Sequence, residues 1–150
     1  MRTDVFTNAQ IIDPEAGNVS LGALAIRDGV IVGHGADLSP PEGANIIDCG
    51  GKFLAPGLID IGVKVCEPGE RHKESYRSAG LAAAAGGVTT MVTRPDTTPV
   101  IDTPETLEFA ARRAAEAAPV RVLPMAALTK GQEGREMTEI GFLLDAGAVA

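Results

Sequence analysis

The sequence predicts an α/β chain in which a small antiparallel β unit, residues 1–52, precedes a series of β-α units, residues 53–150. Three observations predict it. Short β-type stretches broken by turn residues fill the first part, and from Phe53 onward strand-like and helix-like stretches alternate. The composition, 45% hydrophobic and 22% charged over 150 residues, is that of a globular chain able to bury a core.

In the first part, residues 4–12, 24–27, 30–33 and 45–48 carry β-branched and apolar side chains between turn signals. Asp28-Gly29 reads as a two-residue hairpin turn, because both positions need φ > 0, which Gly adopts freely and Asp tolerates. Pro40-Pro41-Glu42-Gly43 marks a second turn. In the second part, residues 54–65 form an apolar run suited to a buried strand, and residues 75–85 are Ala-rich and helical. Gly86-Gly87 stops that helix. It is not a phosphate cradle, because no G-x-G-x-x-G or P-loop pattern surrounds it.

Residues 89–93 are β-branched and extended. Thr103 then suits an N-cap, with Pro104 at the first helical position of a helix running to about Ala118. Residues 120–126 read as the next strand. Met137, Ile140, Leu143 and Leu144 follow the 3-and-4 spacing of an amphipathic helix closed by Gly147. Repeated β-α units imply a parallel sheet or a barrel, with functional residues at the C-terminal ends of the strands. A closed eight-unit barrel takes about 250 residues. Residues 53–150 hold at most three units and the start of a fourth strand at Ala148. Three parallel strands leave an edge facing water, so the chain reads as the truncated first part of a larger protein.

Charge and cysteine count exclude several classes. Lys+Arg 13 against Asp+Glu 20 gives a net charge of −7, the wrong sign for neutralising phosphates, and 3% aromatics without Trp offer no base-stacking platform. Two cysteines, Cys49 and Cys66, are too few for a disulfide framework. Neither an apolar leader segment nor a membrane-length apolar run occurs. The expectation is a cytoplasmic chain with reduced thiols and neither nucleic-acid nor membrane partners.

Several stretches, in order, resemble the dihydroorotases of the amidohydrolase superfamily. Phe53-Leu54-Ala55-Pro56-Gly57-Leu58-Ile59-Asp60 is similar to the family's entry into its first barrel strand. Glu67-Pro68-Gly69 with His72-Lys73-Glu74 is similar to the loop that follows. Residues 82–90, AAAAGGVTT, resemble the first barrel helix and the turn into the second strand. Pro95, Thr97, Pro99-Val100-Ile101-Asp102 and Pro104-Glu105 resemble the segment after strand two, and Leu123-Pro124 with Thr129-Lys130-Gly131 the third strand and its loop. Upstream, Ile12-Asp13-Pro14 and Asp28-Gly29 are similar to strands of the family's N-terminal β-sandwich. The resemblance implies the N-terminal part of a (β/α)8 TIM barrel preceded by strands of a small β-sandwich. It also implies zinc-assisted hydrolysis of a cyclic amide in pyrimidine biosynthesis.

The residues that carry that chemistry depart from the family pattern. The family's first strand bears Asp-x-His-x-His, whose two histidines project to one side of the strand and grip one metal. Here the segment is Asp60-Ile61-Gly62-Val63-Lys64. Gly62 has no donor, and the Lys64 ammonium has no lone pair. The position of a substrate-holding Arg is Cys66, which has neither charge nor fork, and that of a substrate-contacting Asn is Asp96, whose carboxylate repels an anionic substrate. Four functional positions in two loops are altered while turns and apolar faces stay readable. No catalytic residue, metal ligand or cofactor is therefore expected, although the family uses zinc.

Lys64 could bind metal only if neutral or carbamylated, against an ordinary pKa near 10.4. Cys66, Glu67, Glu70 and His72 lack a second Cys or His at ligand spacing and read as a solvated loop with one half-buried thiol. His34 reads as a surface or capping histidine and Lys130 as a loop charge. Asp60 reads as structural, pairing with Lys64 so that the ammonium satisfies carboxylates that would otherwise hold metal.

Three functions follow as expectations. The first is a non-catalytic, oligomeric companion that supports assembly of aspartate carbamoyltransferase, as some metal-ligand-lacking dihydroorotase homologues do. The second is an active zinc-dependent cyclic-amide hydrolase of dihydroorotase, hydantoinase or allantoinase type with a rebuilt site. The third, a self-sufficient binding module, fits poorly with an open sheet edge. The first is preferred.

Overall fold

A computed structural model describes residues 2–149. The chain divides into two compact units, Met1–Pro56 and Gly57–Ala150.

The first unit is a five-stranded sheet of β1 (Thr3–Asp13), β2 (Asn18–Arg27), β3 (Val30–Gly35), β4 (Asn45–Asp48) and β5 (Phe53–Leu54). The spatial order is β3-β2-β1-β4, and β5 also pairs with β1. The turn between β2 and β3 has φ of +50° at Asp28 and +81° at Gly29. That is the left-handed pair a tight hairpin needs to match strand twist. Val5, Ala23 and Ala25 are buried on one face with Leu38 and Ala44 against them, and Val5 pairs directly with Ala25.

The unit is mixed rather than antiparallel. β4 and β5 both run parallel to β1: residues 36–44 bring the chain back to β4, and a tight turn closed by the Lys52 amide on the Cys49 carbonyl at 3.0 Å carries it on into β5. The pairing of β5 with β1 also places Phe53 and Leu54 in the first unit, so the division falls after Pro56 rather than at 52/53.

The second unit alternates β6 (Leu58–Val63), α1 (Tyr76–Ala85), β7 (Val88–Thr93), α2 (Pro104–Ala117), β8 (Arg121–Pro124), a 3-10 turn at Lys130–Gln132 and α3 (Ile140–Asp145). β6, β7 and β8 form a parallel sheet in chain order, each crossover stepping the same way. Val149 pairs with Met125 in a single parallel bridge, where a fourth strand was expected to start.

The apolar run 54–65 is not one buried strand. The bend at residues 55–57 separates β5 from β6, and β6 is a sheet edge on which Leu58, Ile59 and Ile61 are 61%, 64% and 71% exposed.

Both longer helices start where local chemistry dictates. Ser75 accepts from the Ser78 amide at 3.1 Å and Ser78 returns the bond, while Thr103 and Thr106 do the same ahead of Pro104. α1 ends at Gly86-Gly87. Tyr76 and Ala79 of α1, Met91 of β7, and Leu107, Ala110 and Ala114 of α2 form the core, with Leu143 of α3. Leu107 and Ile101 are wholly buried, each worth roughly 1.5–3 kcal/mol relative to exposure. α3 is shorter than its periodicity suggested, since Met137 lies outside it, in a bridge region with Thr129, and is exposed.

Candidate functional site

The loops after β6 and β7 carry the residues singled out above. At the end of β6, Ile61 pairs with Val92 and Val63 with Thr93, so Gly62 is an extra residue opposite a continuous partner strand. This is a β-bulge, and Gly62 takes φ of +91°, a conformation that side-chain-bearing residues rarely adopt. The bulge breaks the alternation that would place residues 60, 62 and 64 on one face. Arg94 donates its amide to the Val63 carbonyl at 2.9 Å and carries the chain into the second loop.

Lys64 points its ammonium at Asp96, with Nζ 3.0 Å from Oδ2. Arg94 Nη2 lies 3.0 Å from the same oxygen. The expected Asp60–Lys64 pair is not formed. Asp60 is exposed on β6, and the partner of Lys64 comes from the loop after β7 instead. Asp60, Lys64 and Glu74 do line one shallow cavity of about 340 Å³ against Ala79, Ala82 and Ala83 of α1.

Asp96 is held in place by backbone order. The Thr97 and Ile101 amides both donate to the Pro95 carbonyl, at 2.8 and 3.0 Å, and Thr97 Oγ1 donates to the Pro99 carbonyl at 2.7 Å. A backbone bond of 3.3 Å from the Thr98 amide to the Pro68 carbonyl ties this loop to the preceding one. Asp102 accepts from the Gly131 amide at 2.8 Å and so joins the loop to the one after β8, where Lys130 pairs with Glu136.

The loop after β6 is less solvated than its composition suggests. Glu67 is 4% exposed. Its carboxylate accepts from Arg113 Nε of α2 at 2.8 Å and from the Tyr76 amide at 3.1 Å, and Arg71 lies 3.7 Å away. The carboxylate thereby serves the N-terminus of α1, where free amides and the helix dipole favour negative charge. Its hydrogen bond and charge hold the Arg113 guanidinium above its ordinary value. Nothing local in the sequence marks this pair, because its partners are 46 positions apart.

Tyr76 is buried beside it. Burial first, and then the Glu67 charge, push its phenol up to about 12, against the opposing effect of Thr93. The Thr93 hydroxyl is itself buried, and although it faces the phenol it forms no hydrogen bond of normal geometry. Cys66 is a free, half-buried thiol, as is Cys49. Among the described residues no three His, Cys, Asp or Glu side chains converge as a metal site. An apolar cavity of about 320 Å³ belongs wholly to the first unit, lined by Phe6, Leu24, Ile26, Ile31 and Leu54 with the exposed His34.

The two positions that would hold zinc do not fit it. Gly62 offers no donor atom, and Lys64 offers an ammonium already paired with a carboxylate. What the arrangement does is electrostatic: one carboxylate joins two cations from two loops.

A family model described as dihydro-orotase-like matches residues 51–150. The chain is 45% identical over 137 residues to a dihydroorotase of Geobacillus thermodenitrificans strain NG80-2, covering 91% of this chain and 32% of that protein. It is 41% identical over 146 residues to a dihydroorotase of Bacillus cytotoxicus, covering 97% and 34% respectively. Among solved structures it matches an L-hydantoinase (dihydropyrimidinase) from Arthrobacter aurescens with a TM-score of 0.84 and 25% identity, over 99% of this chain and 32% of that one. The chain spans about a third of the length of the curated relatives it matches. Its fold is that of the N-terminal part of hydantoinase-type TIM-barrel proteins, a β unit followed by the first β-α units. Among the described residues no helix is long and apolar enough to cross a membrane.

Proposed function

The chain belongs to the dihydroorotase-like family, and from that premise we propose that it is a non-catalytic member. In this reading it is tied to de novo pyrimidine biosynthesis and supports the assembly of aspartate carbamoyltransferase. One observation carries the reading. The position that resembles the family's second metal histidine is Lys64, and its ammonium is committed to Asp96, itself at an altered substrate position. With Gly62 donating nothing, two adjacent ligand positions are lost together. The scaffold around them keeps 45% identity to a dihydroorotase, which fits a chain retained for shape rather than chemistry. The protein works in the cytoplasm, as part of an oligomer. It uses no zinc.

Zinc content and dihydroorotate hydrolysis of the natural protein test this directly, together with co-migration with the aspartate carbamoyltransferase of the same organism on size exclusion. The expected result is no zinc, no turnover and a shared peak. About one zinc per chain together with turnover of dihydroorotate, a hydantoin or allantoin overturns it. The active cyclic-amide hydrolase with a rebuilt site then takes its place.

A further inference from the structure

Three carboxylates of the second unit are each paired locally or buried. Glu67 is taken by Arg113 and Arg71, Glu70 by Lys73, and Glu136 by Lys130. Asp96 is more open to solvent than Glu67, and it gathers two cations from the loops after β6 and β7 at equal distance onto a single oxygen, Oδ2, with Lys64 Nζ and Arg94 Nη2 each at 3.0 Å. Lys64 is 53% and Arg94 51% exposed, so both heads reach solvent beyond the carboxylate. Asp60 and Glu74 share a cavity with Lys64, but neither forms an ion pair with it.

We propose that Lys64 and Arg94 form an anion site whose place is filled by the protein's own Asp96 carboxylate. The geometry is that of a ligand complex in which the ligand is internal. Two charged donors converge on one acceptor oxygen, and Arg94 uses only Nη2 of its guanidinium fork for this contact. An oxygen of an external phosphate or carboxylate standing where Oδ2 stands receives the same two charge-assisted hydrogen bonds. Asp96 keeps such anions out by occupying that point and by repelling like charge. The loop that presents it is fixed by bonds to Pro95 and Pro99 that do not involve its side chain, so the carboxylate can be removed without unfastening the loop. This inference goes beyond the non-catalytic reading and is tested separately from it, by anion binding to variants rather than by zinc or turnover.

The test is calorimetric titration of the full chain with inorganic phosphate at low ionic strength. The wild-type protein shows no saturable uptake in the millimolar range. Asp96→Asn binds phosphate at least about tenfold more tightly than wild type, as expected for two freed cationic donors. Adding Lys64→Met or Arg94→Met to that variant returns binding to the wild-type level. Asp96→Ser provides the same reading should the Asn variant not fold. Equal phosphate binding by wild type and both Asp96 variants overturns the proposal, as does retention of tight binding when Lys64 or Arg94 is also removed.

Discussion

Lys64 and Asp96, 32 positions apart, meet with Nζ 3.0 Å from Oδ2, and each stands where the resemblance places an uncharged side chain. The two replacements therefore offset one another in charge. Lys64 alone would leave an unmatched cation beside Arg94, whereas Asp96 alone would still keep Arg94 as its partner.

The energetic link between the two is modest, because Lys64 is half exposed and Asp96 keeps Arg94. A double-mutant cycle of Lys64→Met and Asp96→Asn, read by urea denaturation, should return a coupling of about 0.5 kcal/mol. Asp96→Asn alone should destabilise more than Lys64→Met alone, since it leaves two cations facing each other. Equal single effects with zero coupling would count against the pairing.

Metal binding should not return with Lys64→His, nor with Gly62→His and Lys64→His together. A histidine at residue 62 has to adopt φ near +91°, at about 1–3 kcal/mol for a strained backbone. Elemental analysis after zinc incubation checks this. Zinc uptake by the single Lys64 variant would sink the account of the site.

Glu67→Gln should destabilise the chain by about 3 kcal/mol, toward the lower end for breaking a buried ion pair. Arg113 loses its 2.8 Å partner, and its side chain is only 27% exposed, with Glu116 3.6 Å away as partial relief. A shift in the urea midpoint corresponding to under about 0.5 kcal/mol, the range of an ordinary surface substitution, would show that the carboxylate is not anchoring α2.

Thr93→Val removes a buried hydroxyl that forms no hydrogen bond of normal geometry and keeps the shape. Stability should hold or rise by up to about 1 kcal/mol. A loss of that size instead would assign the hydroxyl a bond to the Tyr76 phenol.

Tyr76 is the single tyrosine in a chain without Trp, so phenolate absorbance reports it alone. Its folded pKa is raised to about 12, above an unfolded value near 10. A raised folded value means the stabilisation is intact below pH 10 and is lost as pH climbs from 10 through 12, about 3 kcal/mol in all. Absorbance titration should place the folded transition near 12, and Tyr76→Phe should remove this part of the alkaline loss. A transition near 10 while the fold persists would contradict the burial.

Much of the architecture was legible because its causes are local. The Asp28-Gly29 turn, the Ser75 and Thr103 caps and the Gly86-Gly87 stop each depend on a few neighbouring residues, and each element lies where those residues indicate. Legibility ended where pairing is distant. The apolar run 54–65 has no internal sign that its start joins β1 and its remainder joins β7. Likewise Asp60 was the near carboxylate for Lys64 by strand spacing. The Gly62 bulge, visible only in the pairing register, broke that spacing.

The sequence by itself determined the order of β-α units, the family resemblance and the absence of a usable donor at residues 62 and 64, because those follow from residue identity and short-range periodicity. Only the tertiary structure decided that Lys64 answers Asp96 and that Glu67 is buried under Arg113. Ion pairs between loops depend on which strands lie side by side, and that is settled by the cooperative packing of the whole unit rather than by any stretch of it.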